Sequence, residues 1–142
     1  TVFLFHSFEH LPDPLQSLKE IKIKLRTRGK LIIEVPHAND FLMSALKEES
    51  YINFTLWSKH LILHTENSLR RFLEYSGFKN IIIKGIQRYP LSNHLNWISQ
   101  KQPGGHKSNI ASIDTKELSE AYANALSRLG ANDTLLAVAN NI

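Results

Sequence analysis

The fold is decided by the stretch Val2-Phe3-Leu4-Phe5-His6-Ser7-Phe8-Glu9-His10-Leu11-Pro12-Asp13-Pro14. Its first four residues are aliphatic or aromatic, which predicts a buried strand. The polar turn that follows ends at Asp13, a good helix N-cap, with Pro14 in the first helical position. The stretch therefore predicts a strand that runs through a turn into a helix.

A second strand follows that helix. Apolar residues at helical spacing predict a helix over 14–27, and Gly29 ends it. The run Lys30-Leu31-Ile32-Ile33-Glu34-Val35-Pro36 is mostly apolar and stops at a proline, as expected for a strand covered on both faces. A strand, helix and strand with a crossover of this length imply parallel strands and a right-handed connection. The sequence thus predicts an α/β fold.

The opening stretch also fits a metal motif, because His6-x-x-Glu9-His10 has the H-x-x-E-H pattern of inverted zinc peptidases. That motif needs both histidines on one helical face, whereas a predicted strand precedes His6, and Pro12 and Pro14 follow His10. No third ligand stands at a fixed helical offset, and the chain has no cysteine. We therefore predict no metal site and keep a zinc hydrolase as the least favoured function.

Composition excludes several classes of protein. The chain has 142 residues, of which 42% are hydrophobic and 21% charged, as in ordinary globular domains. Apolar runs are far too short to span a bilayer, and the absence of cysteine fits a reducing compartment, so we predict a cytoplasmic protein without a membrane partner. The net charge of +4 is spread along the chain, so a nucleic-acid partner is not predicted.

The rest of the chain continues the α/β alternation. The segment 37–64 has no clean period and is interpreted as a lid or connector. Beyond it the sequence predicts a helix capped by Thr65 and stopped at Gly77, a strand at 81–83, a short strand at 94–99, a helix starting at Asp114 and a buried strand at 134–139. We predict a single domain over 1–142 with an insertion at about 87–133.

Three segments in this order resemble class I S-adenosylmethionine-dependent methyltransferases, in particular the group related to the ubiquinone-biosynthesis O-methyltransferase. Phe5–Pro14 resembles the "hxxEHlxDP" turn after that family's fourth strand. Leu25–Pro36 resembles its "LkpGGxlxiexP" fifth strand, although Arg28 stands where the family often has a first glycine. Residues 57–78 resemble the "H(l)xxfsxxxLxxllxxaGF" helix that precedes the next strand.

The resemblance implies a partial Rossmann-like three-layer sandwich. In the family's strand order, 3-2-1-4-5-7-6, this chain would supply strands 4, 5, 7 and 6, the C-terminal half of the sheet. The family's glycine-rich loop and its acidic ribose-binding residue are not in this sequence. We therefore expect a truncated domain that binds the cofactor weakly and is inactive alone. Its first strand would be covered by an N-terminal half, by a partner, or by a second copy in a homo-oligomer.

The resemblance also assigns site residues. Phe5, His6 and Ser7 follow or end the first strand, where the family holds the methionine portion of the cofactor. His60 and His37 are the predicted catalytic residues. His60 would accept a proton from the acceptor, and His37 would line the acceptor pocket. Glu9 and His10 are expected to organise the turn through bonds to backbone.

The predicted function is methyl transfer from S-adenosylmethionine to a small-molecule acceptor. Such a displacement needs orientation and desolvation more than a strong base. The alternative is a non-catalytic interaction module derived from a methyltransferase, which would assemble through the open edge of the first strand.

Overall fold

A computed structural model describes all residues of the chain, 1–142. The strands are β1 (Val2–Phe5), β2 (Lys30–Pro36), β3 (Lys79–Ile86) and β4 (Thr134–Asn140). The helices are α1 (Pro14–Lys24), α2 (Phe41–Ser44), α3 (Glu49–Thr55), α4 (Glu66–Tyr75), α5 (Leu91–Gln100) and α6 (Lys116–Arg128), with short 3₁₀ segments at Phe8–His10, Gly105–Lys107 and Asn109–Ile113. None of the helices combines the length and apolar character needed to cross a bilayer.

The four strands form one mixed sheet in the order β1-β2-β4-β3. β1 and β2 are parallel, with Val2 opposite Leu31, and β4 is antiparallel to β2, with Asn140 opposite Lys30. This confirms the predicted α/β, Rossmann-like class and the parallel pair around α1. The order also equals the 4-5-7-6 order that the family resemblance implied.

Helix α1 begins where the sequence predicts, because the Asp13 carboxylate accepts a hydrogen bond from the Gln16 amide at 2.9 Å. It ends at Lys24, three residues before the predicted boundary, since Leu25 already has extended backbone angles. The left-handed residue of the exit turn is Arg28, with φ of 63°, one position before the predicted stop. Gly29 is needed there for space, because a Cβ atom would lie 2.7 Å from the Arg26 carbonyl oxygen.

The chain divides into two compact units. The first comprises residues 1–37, 58–84 and 134–142, and the second comprises residues 38–57 and 85–133. The first holds the hydrophobic core, in which Leu18, Leu31, Ile33, Leu69 and Phe78 are each at most 1% exposed. The single-domain arrangement with an inserted segment stays a prediction.

Two local predictions in the second unit are wrong. Residues 94–99 lie in helix α5, not in a strand. Three buried polar side chains, Ser92, Asn93 and His94, hid the helical pattern. The cap of α6 is Thr115, whose hydroxyl accepts from the Leu118 amide, while the Asp114 carboxylate binds the Ser92 amide and hydroxyl instead.

Candidate active site in the first unit

The carboxyl end of β1 is fixed by two bonds between His6 and Glu34. The His6 amide donates to the Glu34 carbonyl at 2.8 Å, and His6 Nε2 donates to Glu34 Oε1 at 2.9 Å. His6 has a φ of 46°, a left-handed conformation uncommon for a residue with a side chain. Ser7 is half-buried and the Phe5 side chain is 55% exposed. The three predicted cofactor residues thus lie together at the carboxyl end of β1.

The 3₁₀ segment Phe8–His10 is tied to the loop that carries His60. The Glu9 carbonyl accepts from the amides of Leu61 at 2.9 Å and Ile62 at 3.4 Å. The rings of His10 and His60 lie 5.0 Å apart. His10 Nδ1 donates to the Lys59 carbonyl at 2.5 Å. The structure thus brings His60, a predicted catalytic residue, beside the turn that follows β1.

Glu9 does not organise this turn through its side chain, contrary to the prediction. The residue is 1% exposed, and neither of its carboxylate oxygens has a hydrogen-bond partner. His6 Nδ1 and His10 Nε2 lie 3.6 Å and 3.8 Å from Glu9 Oε1, too far for hydrogen bonds. His10 does bind a backbone carbonyl, but it is that of Lys59 in the His60 loop and not one at the start of α1. Asp13 caps that helix.

Glu9, His10 and His60 form a group whose potential metal-ligand atoms all lie within 4.8 Å of one another. Glu9 and His10 lie in the three-residue 3₁₀ segment, whereas His6 precedes it in the turn after β1. The three residues therefore do not share one continuous helix, in agreement with the sequence-based expectation. The third residue of the group comes from a loop distant in sequence. No pattern of local spacing could have selected His60 as a member.

His37, the second predicted catalytic residue, directly follows β2 and is 6% exposed. Its backbone pairs with that of His64 in an isolated parallel bridge. His64 is fully buried between two aromatic rings, 5.2 Å from Phe8 and 5.2 Å from Phe72. Burial lowers the pKa of His64 to about 4, so its ring is neutral at pH 7. His6 and His37 thus follow the carboxyl ends of neighbouring parallel strands, where open sheets bind ligands.

The second unit contains a buried polar group that the sequence analysis did not identify. The Asp133 carboxylate accepts from the amides of Arg88 at 3.0 Å and Tyr89 at 2.9 Å, and from Gln87 Nε2 at 2.8 Å. The Asp133 amide donates back to Gln87 Oε1 at 3.1 Å. The dipeptide Asn132-Asp133 has the composition of a turn and gives no sign in the sequence of these partners.

Two further polar pairs lie in this second unit. His94 Nδ1 and the Tyr122 hydroxyl are 2.6 Å apart, and burial lowers the pKa of His94 to about 4 and raises that of Tyr122 to about 12. The Tyr51 hydroxyl donates to Asp40 Oδ2 at 3.0 Å. Burial raises the pKa of Asp40 to about 6 despite this bond and the amide bonds that the carboxylate accepts. The His94 and Tyr122 side chains are thus neutral at pH 7, and the Asp40 carboxylate is bonded at both oxygens. Both pairs suit a structural role.

Residues 1–82 match a protein family described as a methyltransferase domain. The chain belongs to this family. The match covers more than half of the 142 residues and includes all three motifs of the predicted resemblance. It confirms the S-adenosylmethionine-dependent methyltransferase family and the cofactor predicted for it. The subgroup related to ubiquinone biosynthesis stays a prediction.

Solved structures support the same fold. A S-adenosylmethionine-dependent methyltransferase from Archaeoglobus fulgidus has 20% identity and a TM-score of 0.56, over 98% of this chain and 57% of that one. One from Thermotoga maritima has 14% identity and a TM-score of 0.58, over 99% and 54%. A Haloferax volcanii methyltransferase complex with the Trm112 activator has 17% identity and a TM-score of 0.56, over 99% and 53%. The chain thus spans just over half the length of these structures. A search of curated proteins found no match.

Proposed function

We propose that this chain contributes to methyl transfer from S-adenosylmethionine to a small-molecule acceptor. The observation that carries this proposal is the family match over residues 1–82, which contains β1, β2 and the polar residues that follow them. In open α/β sheets, ligands bind at this end of the strands. The absence of cysteine supports a cytoplasmic setting.

The proposed reaction breaks the bond between the sulfonium sulfur and its methyl carbon and forms a bond from that carbon to the acceptor atom. S-adenosylhomocysteine leaves, and the acceptor loses a proton. We assign Phe5, His6 and Ser7 to the methionine portion of the cofactor. His60 is the proposed proton acceptor, and His37 is proposed to line the acceptor pocket. The chain would contribute mainly by orienting the cofactor and by excluding water.

Addition of millimolar S-adenosylmethionine to the chain is expected to shift the backbone amide resonances of Phe5, His6 and Ser7, even where affinity is weak. The measurement is a two-dimensional NMR titration, which detects weak binding residue by residue. Adenosine alone should leave these three amides in place, because they are assigned to the methionine portion. His6→Asn should weaken the response severalfold, since asparagine tolerates the left-handed backbone of His6 but cannot replace its ring.

The matched control is His106→Asn, a half-buried histidine of the second unit. It should titrate like the unchanged chain. Shifts confined to the second unit, or none at residues 5–7, would contradict the assignment of the cofactor to the end of β1.

A second candidate, an interaction module, is supported by the exposed edge of β1. Phe3 and Phe5 are 56% and 55% exposed, and their rings lie 5.5 Å apart on the same side of the strand. In the sheet β1 pairs only with β2, so its other edge can accept a strand. We expect sedimentation of the unchanged chain to give a mass above 16.3 kDa, the mass of one chain. The double variant Phe3→Lys and Phe5→Lys should sediment with the mass of one chain.

The control for this experiment is Ile23→Lys on α1, where an 84% exposed apolar residue also becomes lysine. It should leave the sedimentation of the chain unchanged. A single 16.3 kDa species for the unchanged chain, over the micromolar range, would refute self-association through β1.

A further inference from the structure

The Glu9 carboxylate lacks a compensating charge or donor at hydrogen-bond distance. It is 1% exposed, and both of its oxygens are buried without a hydrogen-bond partner. An ionised carboxylate removed from water is strongly destabilised unless a cation or several donors replace the lost solvation. The side chain therefore needs a proton or a cation next to Oε1, where the two imidazole nitrogens of His6 and His10 approach to 3.6 and 3.8 Å.

The orientation of His10 determines what can occupy that position. Its Nδ1 donates to the Lys59 carbonyl at 2.5 Å, which places the proton of the neutral ring on Nδ1. Nε2 then carries a lone pair and points towards Glu9 Oε1. Two lone pairs that face one another repel unless a cation lies between them. A carbonyl that fixes the tautomer of an imidazole in this way is the usual outer support of a histidine metal ligand.

His60 completes a set of three. Its loop is anchored to Glu9 by the two amide bonds from Leu61 and Ile62, and its ring nitrogen lies within 4.8 Å of the other two ligand atoms. Ligands bound to Zn²⁺ at about 2.1 Å in a tetrahedral arrangement are about 3.4 Å apart. The 3.8 Å between Glu9 Oε1 and His10 Nε2 is therefore a few tenths of an ångström from that separation.

We propose that Glu9, His10 and His60 bind one divalent first-row transition-metal ion, for which Zn²⁺ is the probe. Two imidazoles and one carboxylate suit such an ion, whereas Ca²⁺ and Mg²⁺ prefer oxygen ligands throughout. Three protein ligands leave a coordination position for water or for an oxygen atom of a bound molecule. A bound ion would engage the lone pair of His60, which would then hold the ion instead of accepting a proton.

The site is tested by titrating the metal-free chain with Zn²⁺ in a calorimeter and with Co²⁺ in a spectrophotometer, both without S-adenosylmethionine. We expect one saturable site per chain. The Co²⁺ absorption spectrum should be that of a tetrahedral or five-coordinate site. Glu9→Gln and His60→Asn should each weaken binding by more than about tenfold, because each changes a direct ligand and the loss of even an outer-shell partner costs about 10- to 100-fold in metal affinity. Glu66→Gln and His106→Asn, outside the group, serve as matched controls and should bind like the unchanged chain.

Circular dichroism identifies any variant that fails to fold, and Glu9→Gln preserves the size of the side chain. The competing explanation is a proton, on Glu9 or on the facing nitrogen of His6 or His10, that pairs the carboxyl group with an imidazole. In that case the chain would show no saturable Zn²⁺ site. The proposal is overturned by that result, or by Zn²⁺ affinities that are the same in Glu9→Gln, His60→Asn and the controls. Because no cofactor is present, these outcomes bear on the role of His60 but not on whether the chain binds S-adenosylmethionine.

Discussion

Replacement of Asp133 by alanine is expected to lower the free energy of unfolding of the second unit by about 4 kcal/mol. The carboxylate is buried and accepts from two backbone amides, of Arg88 and Tyr89, and from the side-chain amide of Gln87. Alanine leaves all three donors without this acceptor, and each buried donor left unsatisfied costs roughly 1–3 kcal/mol. Asp133→Asn should cost less, because its amide oxygen can still accept from one or two of them.

Urea unfolding followed by tryptophan fluorescence measures this loss, since Trp97 is 2% exposed and belongs to the same unit. The control is Glu117→Gln, an exposed acidic residue on α6, which should change the free energy of unfolding by less than about 0.5 kcal/mol. A loss below about 1 kcal/mol for Asp133→Ala would mean that water satisfies the three donors, and that the Asp133 bonds do not stabilise the unit.

The β1-α1-β2 unit could be predicted because its signals are local. Asp13 and Pro14 mark the start of α1 within two positions, and proline at 36 marks the end of β2. The parallel pairing then follows from the length of the crossover. The boundary error at the end of α1 has a physical reason, since Leu25 is a buried core residue that leaves the helix in an extended conformation.

The polar contacts could not be predicted because their partners are remote in sequence. Asp133 binds residues 87–89, and a turn dipeptide gives no indication of them. The same limit applies to Glu9, whose backbone carbonyl binds two amides of a loop more than fifty residues later. In α5 the buried side chains are largely polar, so the apolar period that indicates a helix was missing.

The sequence predicted where the residues of the candidate site lie in the fold, but not which atoms they contact. His6 and His37 could be placed at one sheet edge, because each follows a strand and the two strands are parallel. The positive φ of His6 and its bonds to Glu34 could not be predicted, because they arise only when β1 and β2 pair. The roles of Phe5, His6 and Ser7 stay predictions that the NMR titration tests, and the roles of His37 and His60 stay predictions as well.

Acidification is expected to destabilise the first unit through His64, by about 3 kcal/mol between pH 6.5 and pH 4. Burial lowers the pKa of His64 from 6.5 to about 4 in the folded chain. The unfolded chain therefore binds a proton at a higher pH than the folded chain does. The contribution of His64 to the free energy of unfolding is present in full above pH 6.5. It falls as the pH drops through this window and is lost near pH 4 and below. The added proton would place a cation between Phe8 and Phe72.

His64→Leu should remove this part of the pH dependence, because leucine has no proton to gain. The buried Nε2 of His64 has no hydrogen-bond partner, and the Ser68 hydroxyl, 3.3 Å from His64 Nδ1, keeps its two bonds to the Thr65 backbone after the substitution. Amide hydrogen exchange in α4, whose Leu69 and Leu73 lie in the same core, measures the stability of this unit at each pH. His106→Leu is the matched control and should keep the acid loss. An acid loss in His64→Leu equal to that of the unchanged chain would mean that carboxylates, and not His64, limit the stability of this unit in acid.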